Sequence, residues 1–274
     1  MKTLTKNANA KINIGLQVLN KRKDNYHNIN SIFVPISLCD ELTISESNQF
    51  ELRSNVKFNI SDDENLVIKA AKKFNEALGI SKSYKINLHK EIPMQAGLGG
   101  GSADAAIVLK MLNEMNGNPF SDGYLAKLAL EIGSDVPFFI FNKPAIAKGR
   151  GEILKFIEFK NDMNVLVVFP NVNISTKDAY EALQRTEEPV QEIDFYSALS
   201  EGQYHLIIND FEQYATQKHK EIKEIKDILY GNGSFFALMS GSGSAVYGMF
   251  HSLEEMAKTA EKLHNYKTYF CKTI

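Results

Sequence analysis

The chain contains no tryptophan and only two cysteines, Cys39 and Cys271. They stand far apart, in no CxxC pair and no metal-ligand spacing, so the sequence suggests two structural thiols in a reducing, cytoplasmic setting rather than a disulfide framework. The six histidines form no HxxxH, HxH or HExxH pattern, so a metal would have to arrive with a ligand. An excess of charge of one sign is also missing. Lys and Arg number 31 against 33 Asp and Glu, a net charge of −2, which leaves no general electrostatic footprint for nucleic acid. No apolar run approaches the roughly 18–20 residues that a membrane span needs. The opening MKTLTKNANAKINIGL has no apolar signal-peptide core. Internal repeats and low-complexity segments are absent.

What is present is an ordinary globular composition, 44% hydrophobic over 274 residues, long enough for a sizeable core and two lobes. AKINIGLQVL alternates: Ala10, Ile12, Ile14, Leu16 and Val18 would face one way, Lys11, Asn13, Gly15 and Gln17 the other, as in a half-buried strand. INSIFVPISLCDELTISES reads as further strand, with Pro35 at a bend or edge. DDENLVIKAAKKFNEAL predicts an amphipathic helix with Leu66, Ala70, Phe74 and Leu78 on one stripe, stopped by Gly79. SYKINLHK is another strand, followed by a helix from about Ala103 to Met115. SDGYLAKLALEIG predicts a helix capped by Ser121 or Asp122 and ended by Gly133. Later come a buried strand (NVLVVFPN), helices at STKDAYEAL and VQEIDFYSALSEG, a helix at KEIKEIKDIL, a hairpin at SFFALMSGSGSAVYGMF, a helix at SLEEMAKTAEKL and a last strand at YKTYFC. Strands and helices mix without a regular βαβα alternation, which predicts an α+β fold. The polar FIEFKNDMN suggests two lobes, residues 1–157 and 158–274.

The stretch PMQAGLGGGSADAA, beginning at Pro93, places Gly97, Gly99, Gly100 and Gly101 within five positions. It is not a P-loop, because Ser102 and Ala103 stand where lysine and Ser/Thr belong. It is not the dinucleotide fingerprint, because Ser102 replaces the third glycine. The protein-kinase partners HRD and DFG are absent. A glycine-rich turn running into a helix still offers free N–H groups and the positive end of a helix dipole to an anion. Ser102 can cap that helix, or its hydroxyl can meet a phosphate or a metal. Asp104 would lie in the first turn, where the dipole favours a carboxylate.

Other candidates each carry two readings. Asp135 in GSDVPFF is either a carboxylate oriented at a core margin or, like Ser134, a cap for a short helix before Pro137. Lys11 and Asn13 are either a solvated strand face or a rigid mount for a lysine that holds a phosphoryl or substrate oxygen. Tyr26 and His27 either close a surface loop or offer stacking and edge hydrogen bonds to a planar ligand. Gly241 and Gly243 either make a hairpin turn or bare a backbone N–H toward a ligand.

Together these pieces resemble the GHMP kinases, the superfamily of galacto-, homoserine, mevalonate and phosphomevalonate kinases. PMQAGLGGGSADAA is similar to their PxxxGLGSSxA loop, and MSGSGSAVYGMF to their C-terminal glycine motif. NAKINIGLQVLNKRKDNYHNINSIF, GSDVPFF, ENLVIKAAKKF, KGRGE and NDFE narrow the likeness to a branch that acts on a cytidine-diphosphate-linked methylerythritol. The resemblance implies a lobe like the second domain of ribosomal protein S5 and a ferredoxin-like C-terminal lobe. It implies γ-phosphoryl transfer from ATP, with Mg2+, to the 2-hydroxyl of that small molecule, with Asp135 as base and Lys11 as its partner. The run from Pro93 and Met94 through Gln95, Ala96, Gly97, Leu98, Gly99, Gly100 and Gly101 to Ser102 and Ala103 would hold ATP. Asn65 and Leu66 would line the adenine pocket, and Lys90 would approach the nucleotide. Tyr26 and His27 would hold the cytosine, with Tyr180, four residues after Thr176, as the second aromatic. Asn13, Thr176, Gly241, Ser242 and Gly243 complete the implied substrate set. The partner is then a small molecule, with neither nucleic acid nor membrane, and the protein a monomer or weak homodimer.

The chain departs from the pattern at Asn9, where proline is usual, at Asn25, where DGYH has glycine, and at Gln95 and Ala96. Asn25 is the non-glycine residue that best tolerates a positive φ. Two competing readings stay open: a GHMP kinase acting on homoserine or a mevalonate, and a non-catalytic nucleotide- or RNA-binding protein with an S5-like lobe.

Overall fold

Two long strands, β1 (Thr3–Lys21) and β2 (His27–Ser47), pair with one another and run through both parts of the chain. In the computed structural model, which describes residues 2–274, the chain divides into two compact units. One is built from residues 2–10, Cys39–Met94 and Gly99–Asn142, the other from Lys11–Leu38, Gln95–Leu98 and Lys143–Ile274. The alternation in β1 predicts a strand with one wet face, but residues 10–19 are buried on both faces. A β-strand covered on both sides needs partners for its inward polar groups, and Lys11, Asn13 and Gln17 all find them.

In the first unit β3 (Glu51–Ser54) runs parallel to β4 (Ser83–His89), and β4 antiparallel to β2, with Glu41 opposite His89 and Ser47 opposite Ser83. The helices are α1 (Leu66–Leu78), α2 (Gly100–Met115), α3 (Asp122–Ile132) and α4 (Val136–Phe141). Asn65 caps α1 by accepting from the Val67 N–H at 3.0 Å, and Gly79 closes it in the left-handed region. The buried stripe of α1 is Val67, Ile68, Ala70, Ala71 and Phe74, turned slightly from the expected one, so Leu66 and Leu78 are only half-buried. Ser121 caps α3 through the Tyr124 N–H at 3.3 Å.

In the second unit β2 pairs antiparallel with β5 (Ala145–Lys148), and β5 with β6 (Ile153–Phe156). Pro35 lies between the β2 stretches paired to β5 and to β4. The chain continues through β7 (Asn164–Phe169), α5 (Thr176–Leu183), α6 (Phe195–Ser200), α7 (Glu212–Lys218), α8 (Lys220–Tyr230), β8 (Phe236–Met239), β9 (Val246–Phe250), α9 (Leu253–Lys262) and β10 (Lys267–Lys272). The last four strands form an antiparallel sheet in the order β10-β7-β9-β8. Leu166, Val168, Ala237, Met239 and Val246 from this sheet pack with Phe211, Ile222, Ile225, Leu229 and Met256. Each fully buried Val, Leu, Ile, Phe or Met among them contributes about 1.5–3 kcal/mol relative to exposure. The β8–β9 hairpin is as expected, with Phe236 opposite Met249 and Met239 opposite Val246. The four-residue β3, β5 and β6 and the seven-residue α7 are too short to announce themselves by periodicity, whereas β8, equally short, is legible through its hairpin with β9. The architecture is mixed α+β.

Candidate active site

In the second unit the two glycine stretches lie backbone against backbone. Gly97 has φ 82, and a methyl group there would stand 1.9 Å from the Ser240 carbonyl oxygen. A methyl on Gly243 would stand 2.1 Å from the Ala96 carbonyl carbon and the Gly97 nitrogen. At Gly97 the neighbour that requires a bare backbone is therefore another piece of this chain. The Ala245 N–H donates to the Ala96 carbonyl at 3.1 Å, and the Ser240 hydroxyl donates to the Gly97 carbonyl at 3.1 Å.

Lys11 and Asn13 stand beside this contact. The Lys11 N–H donates to the Leu98 carbonyl at 3.0 Å, and the ammonium donates to Asn13 Oδ1 and, at 3.3 Å, to the Gly97 carbonyl. It also sits 4.7 Å from the centroid of the Phe33 ring. Lys11 is 3% exposed and Asn13 1%, which removes the reading of a solvated strand face. Asn13 is held on three sides: its Nδ2 donates to Ser31 Oγ at 2.9 Å, its N–H to Ser240 Oγ at 3.2 Å, and its carbonyl accepts from the Tyr247 hydroxyl at 2.8 Å. Burial pushes the Tyr247 phenol well above its ordinary pKa, so it stays a donor.

Tyr26 is 52% exposed, and the Arg150 guanidinium lies 4.6 Å from its ring centroid. Asn25 takes φ 65, the conformation expected of an asparagine in that turn. The His27 ring stacks on Tyr180, 5.0 Å between centroids and 22° between planes, and Tyr180 meets Phe211 edge-on at 4.8 Å. Burial, then Lys21 and Arg185, lower the His27 pKa, favouring the neutral ring with one donor and one acceptor. The Thr176 and Ser242 hydroxyls are 2.9 Å apart. Arg150 received no role from the sequence, although it lies in the KGRGE stretch that carries the family likeness; Gly149 and Gly151 on either side of it are both at positive φ.

In the first unit, α2 begins three residues before the expected start. Gly99, at φ 73, is its N-cap and Gly100 its first residue. Ser102 is inside the first turn and does not cap the helix. The reason is the backbone: glycines at 99, 100 and 101 fit a left-handed cap and a crowded first turn, where a methyl on Gly100 would meet Ile92 at 2.9 Å and Lys90 Nζ at 3.1 Å. Leu66 Cδ1 would be 3.8 Å from a methyl on Gly101, which sets α1's capped start beside that of α2. Of the loop residues Ala96, Leu98 and Ala103 are buried, whereas Met94 and Gln95 are exposed.

Asp104 lies beyond the first turn, so its partner is a cation and not the helix dipole. It is buried with Lys90 and Asp40; the Lys90 ammonium donates to Asp104 Oδ2 at 2.8 Å and also to Asp40 Oδ2. Asp40 Oδ1 accepts from the N–H groups of Glu91 at 2.6 Å and Ile92 at 2.9 Å. Asp104 Oδ1 is buried without a hydrogen bond. Burial raises the Asp104 pKa to about 7; Lys90 opposes this and Asp40 adds to it. Burial works to lower the Lys90 pKa, but its two carboxylates outweigh it and the net shift is upward. Asp135 is the residue before α4, with Pro137 in the first turn, but its side chain makes no capping hydrogen bond. The residue is half-buried.

Residues 65–143 match the GHMP kinases N terminal domain, and residues 180–267 the GHMP kinases C terminal domain. The fold, the glycine loop and these matches define the chain as a GHMP kinase, a phosphotransferase. A 4-diphosphocytidyl-2-C-methyl-D-erythritol kinase of Azobacteroides pseudotrichonymphae genomovar. CFP2 is 40% identical, the alignment covering 88% of this chain and 91% of the relative. One from Prosthecochloris aestuarii is 37% identical over 96% and 94%. A crystal structure of 4-(cytidine 5'-diphospho)-2C-methyl-D-erythritol kinase superposes with a TM-score of 0.84 at 33% identity, covering 98% of this chain and 99% of the other. The chain belongs to the 4-diphosphocytidyl-2-C-methyl-D-erythritol kinase family. The Methanococcus jannaschii mevalonate kinase shares the fold, with a TM-score of 0.70 at 16% identity and coverage of 100% and 99%. No helix among the described residues is long and apolar enough to cross a membrane.

Proposed function

We propose that the chain transfers the γ-phosphoryl group of ATP to the 2-hydroxyl of 4-diphosphocytidyl-2-C-methyl-D-erythritol, in the non-mevalonate isoprenoid route in the cytoplasm. The observation that carries this is the family membership over nearly the whole length, at 37% identity across 96% of the chain. The family matches fall on either side of 157–158, which supports reading an N-terminal lobe to residue 157 and a C-terminal lobe from 158.

Phosphoryl transfer needs little covalent chemistry from the protein; positioning and charge stabilisation dominate. The loop Pro93–Ala103 offers backbone N–H groups and the start of α2 to the phosphates. Asn65 and Leu66 line the adenine side, with Lys90 beneath the first turn of α2. Lys11 supplies the cation that GLGGGSAD lacks, and its burial makes that charge count for more than it would in water. Asn13, fixed on three sides, orients a substrate oxygen. Tyr26, His27 and Tyr180 hold the cytosine by stacking and by the edge of the neutral imidazole. Thr176, Gly241, Ser242 and Gly243 complete the substrate side. Asp135 takes the proton from the attacking hydroxyl late in the transfer, as suits a weak base toward an alcohol, with Lys11 offsetting charge on the phosphoryl group.

Among the described residues no group of three or more His, Cys, Asp or Glu is placed to hold a metal ion. The donors present suit an ion carried on phosphate oxygens, with Ser102 as the side chain to meet it. Mg2+ bound there would supply positive charge against the phosphates.

Asp135→Asn keeps the shape and removes the base. Its kcat should fall by on the order of 10²–10⁴, the range for general bases, with KM for ATP little changed. Near-normal turnover of the cytidyl substrate by this variant would refute the assignment.

A further inference from the structure

Asn209 is 4% exposed and has no role in the chemistry above. The backbone around it is strapped to β1: the Leu16 N–H donates to the Ile208 carbonyl at 2.8 Å, and the Asp210 N–H donates to the Leu16 carbonyl at 2.9 Å. Every polar atom of its side chain is used. Nδ2 donates to the carbonyls of Met239 at 2.8 Å and Gly241 at 2.9 Å, and Oδ1 accepts from the Phe211 N–H at 3.0 Å. A carboxamide supplies two donors and an acceptor from one short side chain. Aspartate would instead turn a carboxylate toward two carbonyls.

The two carbonyls that Asn209 holds bracket Ser240. The Ser240 hydroxyl accepts from the Asn13 N–H and donates to the Gly97 carbonyl. The Gly97 carbonyl also accepts from the Lys11 ammonium. Asn209 is therefore linked through the backbone at 239–241 to Ser240, which bonds directly to Gly97 and Asn13, and the Gly97 carbonyl joins it to Lys11. Gly241 sits at φ 60, a backbone conformation that favours glycine and that these bonds hold in place.

We propose that Asn209 is a positioning residue for phosphoryl transfer. By clamping the Met239 and Gly241 carbonyls it holds Ser240 against Gly97. It thereby sets where the loop backbone and Lys11 meet the nucleotide. The proposal rests on the nucleotide role given above to Gln95–Leu98.

The test is Asn209→Asp, read by titration with a fluorescent ATP analogue, by kcat and KM for each substrate, and by Tm. Analogue affinity should fall by about 10-fold or more and KM for ATP rise by on the order of 10–100-fold, because small misplacements at a reacting centre are costly. KM for the alcohol should rise as well, because Asn209 also holds the Gly241 carbonyl on the substrate side. Thr259→Val is the control: Thr259 is buried in the same unit and donates to the carbonyls of Asn232 at 2.8 Å and Glu255 at 2.7 Å. It should lower Tm and leave nucleotide affinity unchanged. Affinity of Asn209→Asp within about twofold of the wild type would overturn the proposal. So would a loss that Thr259→Val reproduces at an equal drop in Tm. If Asn209→Asp does not fold, Asn209→Ser carries the same expectation; if neither folds, the residue is structural only and the proposal falls. Analogue binding needs no alcohol substrate. A wrong substrate assignment would thus appear as wild-type binding without turnover and leave this result interpretable.

Discussion

A methyl group at Gly97 meets two separate obstacles. The residue sits at φ 82, where a Cβ is strained, and the Ser240 carbonyl oxygen would lie 1.9 Å away. Gly79 shares the first obstacle, at φ 68, but nothing lies within 4 Å of its missing methyl. Gly79→Ala should therefore cost only the left-handed penalty, about 1–2 kcal/mol. Gly97→Ala should cost that plus an overpacking term of about 1–3 kcal/mol. Denaturant midpoints of the two variants measure the difference; equal losses would mean that the glycine stretches are not in contact. PMQAGLGGGSADAA alone shows that several bare backbone positions are needed. It does not show that Gly97 and Gly243 need theirs for each other, because a contact between distant positions leaves no local pattern.

Among elements, α2 shows where local reading fails. GGGS reads as loop because glycine is about 1 kcal/mol worse than alanine in a helix, which makes Ser102 look like the cap. Packing at Gly100 against Ile92 and Lys90 overrides that propensity. α3, with a capping side chain and a clean stop, was legible nearly to the residue; α1 was legible at its Gly79 stop, but it starts four residues after the expected Asp62, at the Asn65 cap. β1 was legible as a strand but not in its burial, because polar residues on a covered face look the same in sequence as those on a wet one. The ion cluster that ties α2 to β2 and to the end of β4 was illegible for the same reason as the glycine contact. It has a pH signature. Asp104 binds its proton more tightly in the folded chain, at a pKa of about 7 against an ordinary 3.8. Its contribution is most favourable below about pH 4 and is lost as pH rises through about 7. Asp104→Asn removes this dependence, so the Tm of the variant relative to wild type should climb between pH 4 and 7 and level off above. A difference that stays flat over that window would mean that Asp104 titrates alike folded and unfolded.

At the scale of the whole molecule, the α+β class and the GHMP likeness were legible because the motifs occur in order along nearly the full chain. The roles of Tyr26, His27, Lys11 and Asp135 came from that likeness, since each also suited an ordinary structural position. Burial of Lys11 and Asn13 narrows their choice, and the stack of His27 on Tyr180 joins two residues that the sequence holds far apart. The most direct test of the account is the choice of alcohol. Purified protein is supplied with ATP and, in turn, 4-diphosphocytidyl-2-C-methyl-D-erythritol, mevalonate and homoserine, with ADP release followed and products identified by phosphorus NMR. ADP should be released with the cytidyl substrate alone, matched by a new phosphomonoester while the substrate's own diphosphate stays intact. Comparable turnover of mevalonate or homoserine, or ADP without a phosphorylated product, would contradict it.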